Sequence, residues 1–214
     1  MLYRIAQIFF RLYFLIYHRI KIVGMEDLKK FLDSLPSRGP VILAGNHESY
    51  LDPPAIGMAF PSHLRFVAWD GLFRIPVFRS LLKALGAVPV SQENKNSAAG
   101  LLREVMGFIE SGYSVLIFPE GERTHDGVLK DFEGGVALIA SRTKAPIVPV
   151  WIEGTWEAYP VGRIFPRPHR VTLVFGRPIL PDDLPADMPE KARRAALLGA
   201  LRSSLEDMRD SLAI

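Results

Sequence analysis

The sequence predicts an α/β fold: a mostly parallel (mixed) sheet of about seven strands flanked by helices, with an N-terminal interfacial membrane helix. Three observations carry this. Seven short apolar runs are each bounded by turn-forming or polar residues. Between residues 41 and 152 the runs alternate with stretches of helical periodicity, the pattern of parallel strands joined by crossover helices. Residues 1–20 are apolar, aromatic and punctuated by cations.

That first segment holds Tyr3, Phe9, Phe10, Tyr13, Phe14 and Tyr17, six of the chain's 22 aromatics. On a helix Arg4, Gln7, Arg11 and His18 fall along one stripe and the other faces are apolar. Twenty helical residues would reach about 30 Å, enough to cross a bilayer. Arg11 would then lie mid-membrane at a cost of about 2.5–3.5 kcal/mol. Lying in the headgroup plane avoids that cost and suits tyrosine, so it is preferred over a span and over packing onto the domain. Arg11 also splits the apolar stretch that a signal peptide needs. The expected organisation is a membrane-association helix over 1–20 and one domain over 21–214.

Arg19–Val23 then reads as a short strand closed by Gly24, and Val41–Ala44 as a buried strand between Pro40 and Gly45. Pro53 and Pro54 suit the first turn of a helix. Leu64–Trp69 is a strand, and 72–85 is helical in pattern although Pro76 weakens it. Ala87–Val90 is a strand. Ser97–Ser111 is an amphipathic helix stopped by Gly112. Val115–Phe118, Ile147–Ile152 and Val171–Phe175 are strands, and Gly135–Thr143 is a short helix. Residues 155–170 form a long basic connection. From Lys191 to Leu212 a helix buries Leu197, Leu198, Leu201, Leu205, Met208 and Leu212.

Composition excludes several classes of function. With 49% hydrophobic and 23% charged residues the 214-residue chain is not disordered. Cysteine is absent, which removes disulfides, a thiol nucleophile and cysteine-held metal. A net charge of +3 is too small to argue for nucleic acid. A mean hydropathy of +0.15 is high for a soluble protein and points to an apolar partner.

Two polar clusters follow apolar strands, where open α/β sheets bind ligands. The first is Asn46-His47-Glu48-Ser49-Tyr50-Leu51-Asp52-Pro53; the second is Phe118-Pro119-Glu120-Gly121-Glu122-Arg123-Thr124. In a turn entering a Pro-initiated helix, Asp52 can swing back onto His47, fixing one ring nitrogen and freeing the other as a general base. Ser49 fits a turn residue better than a nucleophile. No third ligand completes a metal site around His47, Glu48 and Asp52.

These residues carry a resemblance. NHESYLD, followed by FPEGER and PIVPVWIEGT, resembles the glycerophospholipid acyltransferase family of the lysophosphatidate-acyltransferase type, over about residues 20–180. The resemblance implies that His47 is the general base, oriented by Asp52, and that Glu120, Gly121 and Arg123 bind the acceptor. It implies transfer of a fatty acyl group from acyl-CoA or acyl carrier protein to the free hydroxyl of a lysophospholipid, lysophosphatidate first. Neither cofactor nor metal is expected. The implied setting is the cytoplasmic face of a membrane, peripheral or monotopic, with membrane lipids as partners. The fourth motif matches Ile147–Ile152 and implies a substrate wall around Pro149; a plain core strand fits those residues nearly as well.

Two positions depart from the family. Its second motif ends in Arg, but Gly86-Ala87-Val88-Pro89-Val90-Ser91 is followed here by Gln92. Lys83, Lys95 or Arg74 could replace that cation. The Thr that usually follows the third-motif Gly is Glu122, a carboxylate that would have to orient Arg123 or meet a cationic headgroup. The alternatives are therefore another lysolipid acceptor, including an amino-acid lysolipid, or a thioester hydrolase.

Overall fold

A computed structural model describes residues 2–74, 76, 79, 80, 82, 86–90 and 97–212. The seven expected strands all form: β1 Lys21–Val23, β2 Ile42–Gly45, β3 Leu64–Trp69, β4 Ala87–Val90, β5 Ser114–Ile117, β6 Ile147–Glu153 and β7 Thr172–Phe175. They build one sheet in the order β1-β7-β6-β2-β5-β3-β4. All neighbours are parallel except β6 and β7, so β1 and β7 run against the other five. The sheet is mixed, as expected.

The α-helices whose bounds lie among the described residues are α1 Leu2–Tyr17, α2 Met25–Ser34, α3 Asp52–Ala59, α4 Asp70–Phe73, α5 Ser97–Glu110, α6 Gly135–Thr143, α7 Thr155–Ala158 and α8 Glu190–Leu212. α2 was not anticipated, although Leu28, Phe31, Leu32 and Leu35 have helical spacing and Glu26 and Asp27 favour its first turn. α7 occupies the start of what the sequence presents as connection. Half of the helix expected over 72–85 lies outside the described residues, and so do Lys83, Gln92 and Lys95.

Two apolar layers sandwich the sheet. On one side Phe14, Leu28, Leu32, Ile56 and Phe60 pack against Leu43, Val148 and Leu173. On the other, Val105, Ile139, Leu197, Leu201 and Leu205 pack against Ile42, Val115 and Ile147. Alternation along each strand sends successive side chains to the two layers. The Ile147–Ile152 strand is wholly buried near the middle of the sheet.

The stripe expected on α1 is divided. Phe14 and His18 are fully buried, and Gln7 turns inward to donate to the carbonyls of Gly57 (3.0 Å) and Phe60 (3.1 Å). Those bonds serve carbonyls at the end of α3. His18 Nδ1 lies 3.1 Å from the His169 carbonyl and Nε2 3.1 Å from Tyr13 Oη. A carbonyl only accepts, so Nδ1 carries the proton and Tyr13 donates to Nε2. Burial holds the His18 pKa below its ordinary value and favours this neutral ring. Arg4 and Arg11 stay exposed, and the outward side of α1 also carries Leu2, Ile5, Ile8, Phe9, Leu12, Leu15 and Ile16, all more than half exposed.

Candidate active site

β2 and β5 are adjacent and parallel, with Leu43 opposite Leu116 and Ala44 opposite Ile117. The two polar segments therefore leave the same edge of the sheet side by side. Asn46 extends the sheet by one rung. Its Nδ2 donates to the Ile152 carbonyl (2.8 Å) and its Oδ1 accepts from the Ile152 N–H (2.7 Å), as a backbone residue would. A side-chain amide carries the same N–H donor and carbonyl acceptor as the peptide group it pairs with.

His47 Nδ1 lies 2.8 Å from Asp52 Oδ2. The same oxygen accepts the N–H groups of Glu48 and Ser49, each at 2.7 Å. Asp52 is fully buried at the first turn of α3, where the helix dipole favours negative charge. The carboxylate fixes the proton on Nδ1 and leaves Nε2 with its lone pair. The Phe118 ring stacks on the imidazole at 3.9 Å between centroids and 12° between planes. The His47 side chain remains 17% exposed. Ser49 Oγ donates to the Tyr159 carbonyl (2.7 Å) and accepts from the Leu51 N–H (3.2 Å), a turn residue as expected.

The second segment grips the backbone of the first. Glu120 Oε1 accepts the His47 N–H (2.7 Å), and the Thr124 N–H donates to the His47 carbonyl (2.8 Å). Glu120 Oε2 accepts the Lys130 N–H at 2.9 Å. Both oxygens of this buried carboxylate thus bond to backbone. Burial raises its pKa, and the Lys130 and His47 N–H donors oppose that shift. Gly121 closes the turn at φ +74°, and a Cβ there would come within 3.2 Å of the Glu133 carboxylate.

The Arg123 guanidinium carbon sits 3.5 Å from the centre of the Tyr50 ring, and its Nη1 is buried without a hydrogen-bond partner in the protein. Glu122 does not compete for it, because its carboxylate pairs with Lys130 Nζ at 2.8 Å. That bond holds Glu122 below the usual carboxylate range. Glu48 points into the protein. Burial, then the nearby carboxylates of Asp52, Glu153 and Glu157, push its pKa up to about 9, so it is neutral at pH 7. Among the described residues no group of His, Cys, Asp and Glu could hold a metal.

The structure thus joins His47 to Asp52 and Glu120 to the His47 backbone, and sets Arg123 beside Tyr50. Tyr50 and Phe118 were not singled out in the sequence. Both stand inside the polar segments, but the side chain each covers belongs to the other segment.

A buried carboxylate aiming an imidazole at the carboxyl edge of an open α/β sheet defines a general-base site that can activate a hydroxyl or water. Residues 19–153 match the acyltransferase family, and the chain belongs to that family. It is 34% identical over 132 residues to 1-acyl-sn-glycerol-3-phosphate acyltransferase BAT2 (chloroplastic) of Brassica napus, covering 61% of this chain and 38% of that one. It is 32% identical over 151 residues to a 1-acyl-sn-glycerol-3-phosphate acyltransferase of Streptococcus pneumoniae, covering 69% and 53%. The crystal structure of the LPA acyltransferase PlsC from Thermotoga maritima superposes with a TM-score of 0.73 at 25% identity, covering 96% of this chain and 79% of that one. The aligned regions thus span about two fifths to one half of these two sequence relatives.

Proposed function

We propose that this chain is a 1-acylglycerol-3-phosphate O-acyltransferase working at a membrane surface. The observation that carries the reading is the 2.8 Å bond from His47 Nδ1 to the buried Asp52, which presents Nε2 as a base. Nε2 takes the proton from the free hydroxyl of the lysolipid. The oxygen attacks the thioester carbonyl of acyl-CoA or acyl carrier protein, the C–S bond breaks, and the imidazolium returns the proton to the departing thiolate. Asp52 stabilises the imidazolium between those events. No acyl-enzyme is needed, and the bonded Ser49 is not poised to form one.

Arg123 would hold the acceptor phosphate, since its planar guanidinium offers paired donors and one buried nitrogen is free of protein partners. Gly121 lets the turn approach that group, and Glu120 serves it by fixing the turn against His47. The Glu122–Lys130 pair leaves Arg123 uncompensated by that carboxylate, which favours an anionic acceptor over a cationic headgroup.

The apolar outer face of α1 would lie in the headgroup region of the cytoplasmic leaflet. No helix among the described residues is long and apolar enough to cross a membrane. The test is product mass spectrometry with mixed lysolipids and both donors, comparing the wild type with His47→Ala. Phosphatidate formed only by the wild type supports the reading. Exclusive use of another lysolipid, or fatty acid release without any acceptor, would replace it with one of the alternatives.

A further inference from the structure

Ile164 and Phe165 are 78% and 76% exposed, on the connection between α7 and β7. Hydrogen bonds fix the backbone of this apolar tip. Tyr159 Oη donates to the Ile164 carbonyl (3.2 Å), Arg163 Nε to that of Phe165 (3.0 Å) and Tyr17 Oη to that of Pro166 (3.2 Å). Three successive carbonyls are thus bonded while the two large side chains stand in solvent. The same connection reaches α1 through Tyr17 and through His18 on the His169 carbonyl. It also reaches the active site, because Tyr159 accepts from Ser49 and its ring lies 5.9 Å from that of Tyr50.

Along the sequence, the two segments that meet here carry charge of one sign. No Asp or Glu occurs in residues 1–25 or 158–181, whereas Arg4, Arg11, Arg19, Lys21, Arg163, Arg167 and Arg170 do. An apolar point on a basic connection, joined to a basic segment with an apolar helix face, matches an anionic bilayer better than a protein surface. We propose that Ile164 and Phe165 insert into an anionic leaflet as a second anchor beside α1 and hold the Tyr50–Arg123 side of the site at headgroup level. This rests on the membrane reading of α1.

The chain has no cysteine, so single cysteines can carry an environment-sensitive fluorophore without background labelling. Phe165→Cys, Phe9→Cys and Ser203→Cys, the last on the exposed side of α8, are labelled in the full chain. Each is mixed with phosphatidylcholine vesicles with and without phosphatidylglycerol. The Phe165 and Phe9 probes are expected to shift to the blue on anionic vesicles, and the Ser203 probe is not. The double variant Ile164→Ser/Phe165→Ser should sediment with those vesicles at least about tenfold more weakly, while turnover of short-chain soluble substrates persists. A shift at Phe9 without one at Phe165, or vesicle binding by the double variant within twofold of wild type, overturns the second anchor and spares α1. Silence at both positions overturns the membrane reading as well. A blue-shifted Phe165 probe in a vesicle-free dimer would assign the tip to a second copy of the chain and refute the proposal.

Discussion

Replacing Asp52 with Asn tests the proposed chemistry most directly. The substitution keeps size and leaves an oxygen that can accept from His47 Nδ1 and from the Glu48 and Ser49 N–H groups. The tautomer and the turn should survive, and what is lost is the charge. When Nε2 takes the substrate proton, a full positive charge forms on a ring whose Nδ1 is 2.8 Å from the carboxylate oxygen, so the charge centres lie roughly 4 Å apart. At that separation, with an effective dielectric of about 20, the attraction is about 4 kcal/mol. Asp52 is fully buried, so salt screens it little. Loss of that term predicts a fall in kcat of about 10³. The assay follows thiol release from acyl-CoA with lysophosphatidate, with circular dichroism to confirm the fold. A folded Asp52→Asn variant within threefold of wild-type kcat would refute the role of Asp52 in stabilising the imidazolium.

Other perturbations reach the supporting residues. Glu120→Gln forces an amide N–H toward a backbone N–H of either His47 or Lys130 and should cost about 1–3 kcal/mol of stability. A denaturant midpoint equal to wild type would show that these bonds are dispensable. Tyr50→Leu removes the ring under Arg123 and should raise KM for the acceptor about threefold to thirtyfold with kcat nearly unchanged, whereas Tyr50→Phe keeps the wild-type value; equal KM in all three would deny Tyr50 that role. Glu48 is neutral in the folded protein up to about pH 9 but ionises near 4.5 when unfolded. Below pH 4.5 both states hold the proton; between 4.5 and 9 only the folded state does, so its contribution to stability falls as pH rises. Glu48→Gln removes this dependence, so its unfolding free energy, followed by denaturant titration, should gain on wild type from pH 5 to 9, by at most about 1.4 kcal/mol per pH unit. Parallel pH profiles would contradict the burial argument.

The sheet was readable because most strands are short apolar runs next to a Gly, Pro or polar break, as burial on both faces demands of the central ones, while the exposed β1 shows apolar alternation. Its strand order was not, because β2 pairs with β5 and β6 across crossovers that local periodicity does not encode. The α2 signal was present but short, in ten residues between two loops. For α1, periodicity found the polar positions but not which of them turn inward. Whether Gln7 and His18 look outward depends on the α3 carbonyls and on His169, distant partners that a helical wheel omits.

The site divides in the same way. By itself the sequence determined which groups can do chemistry: a base and a carboxylate five residues apart, a cation after a glycine, and no thiol. The tertiary structure decided what each group faces. Glu120 turned to backbone rather than outward, Glu122 was tied to Lys130, and Tyr50 and Phe118 were laid over Arg123 and His47. The reason is that reactivity belongs to a side chain and its near neighbours, whereas orientation and burial are set by whatever the parallel β2–β5 pair brings alongside.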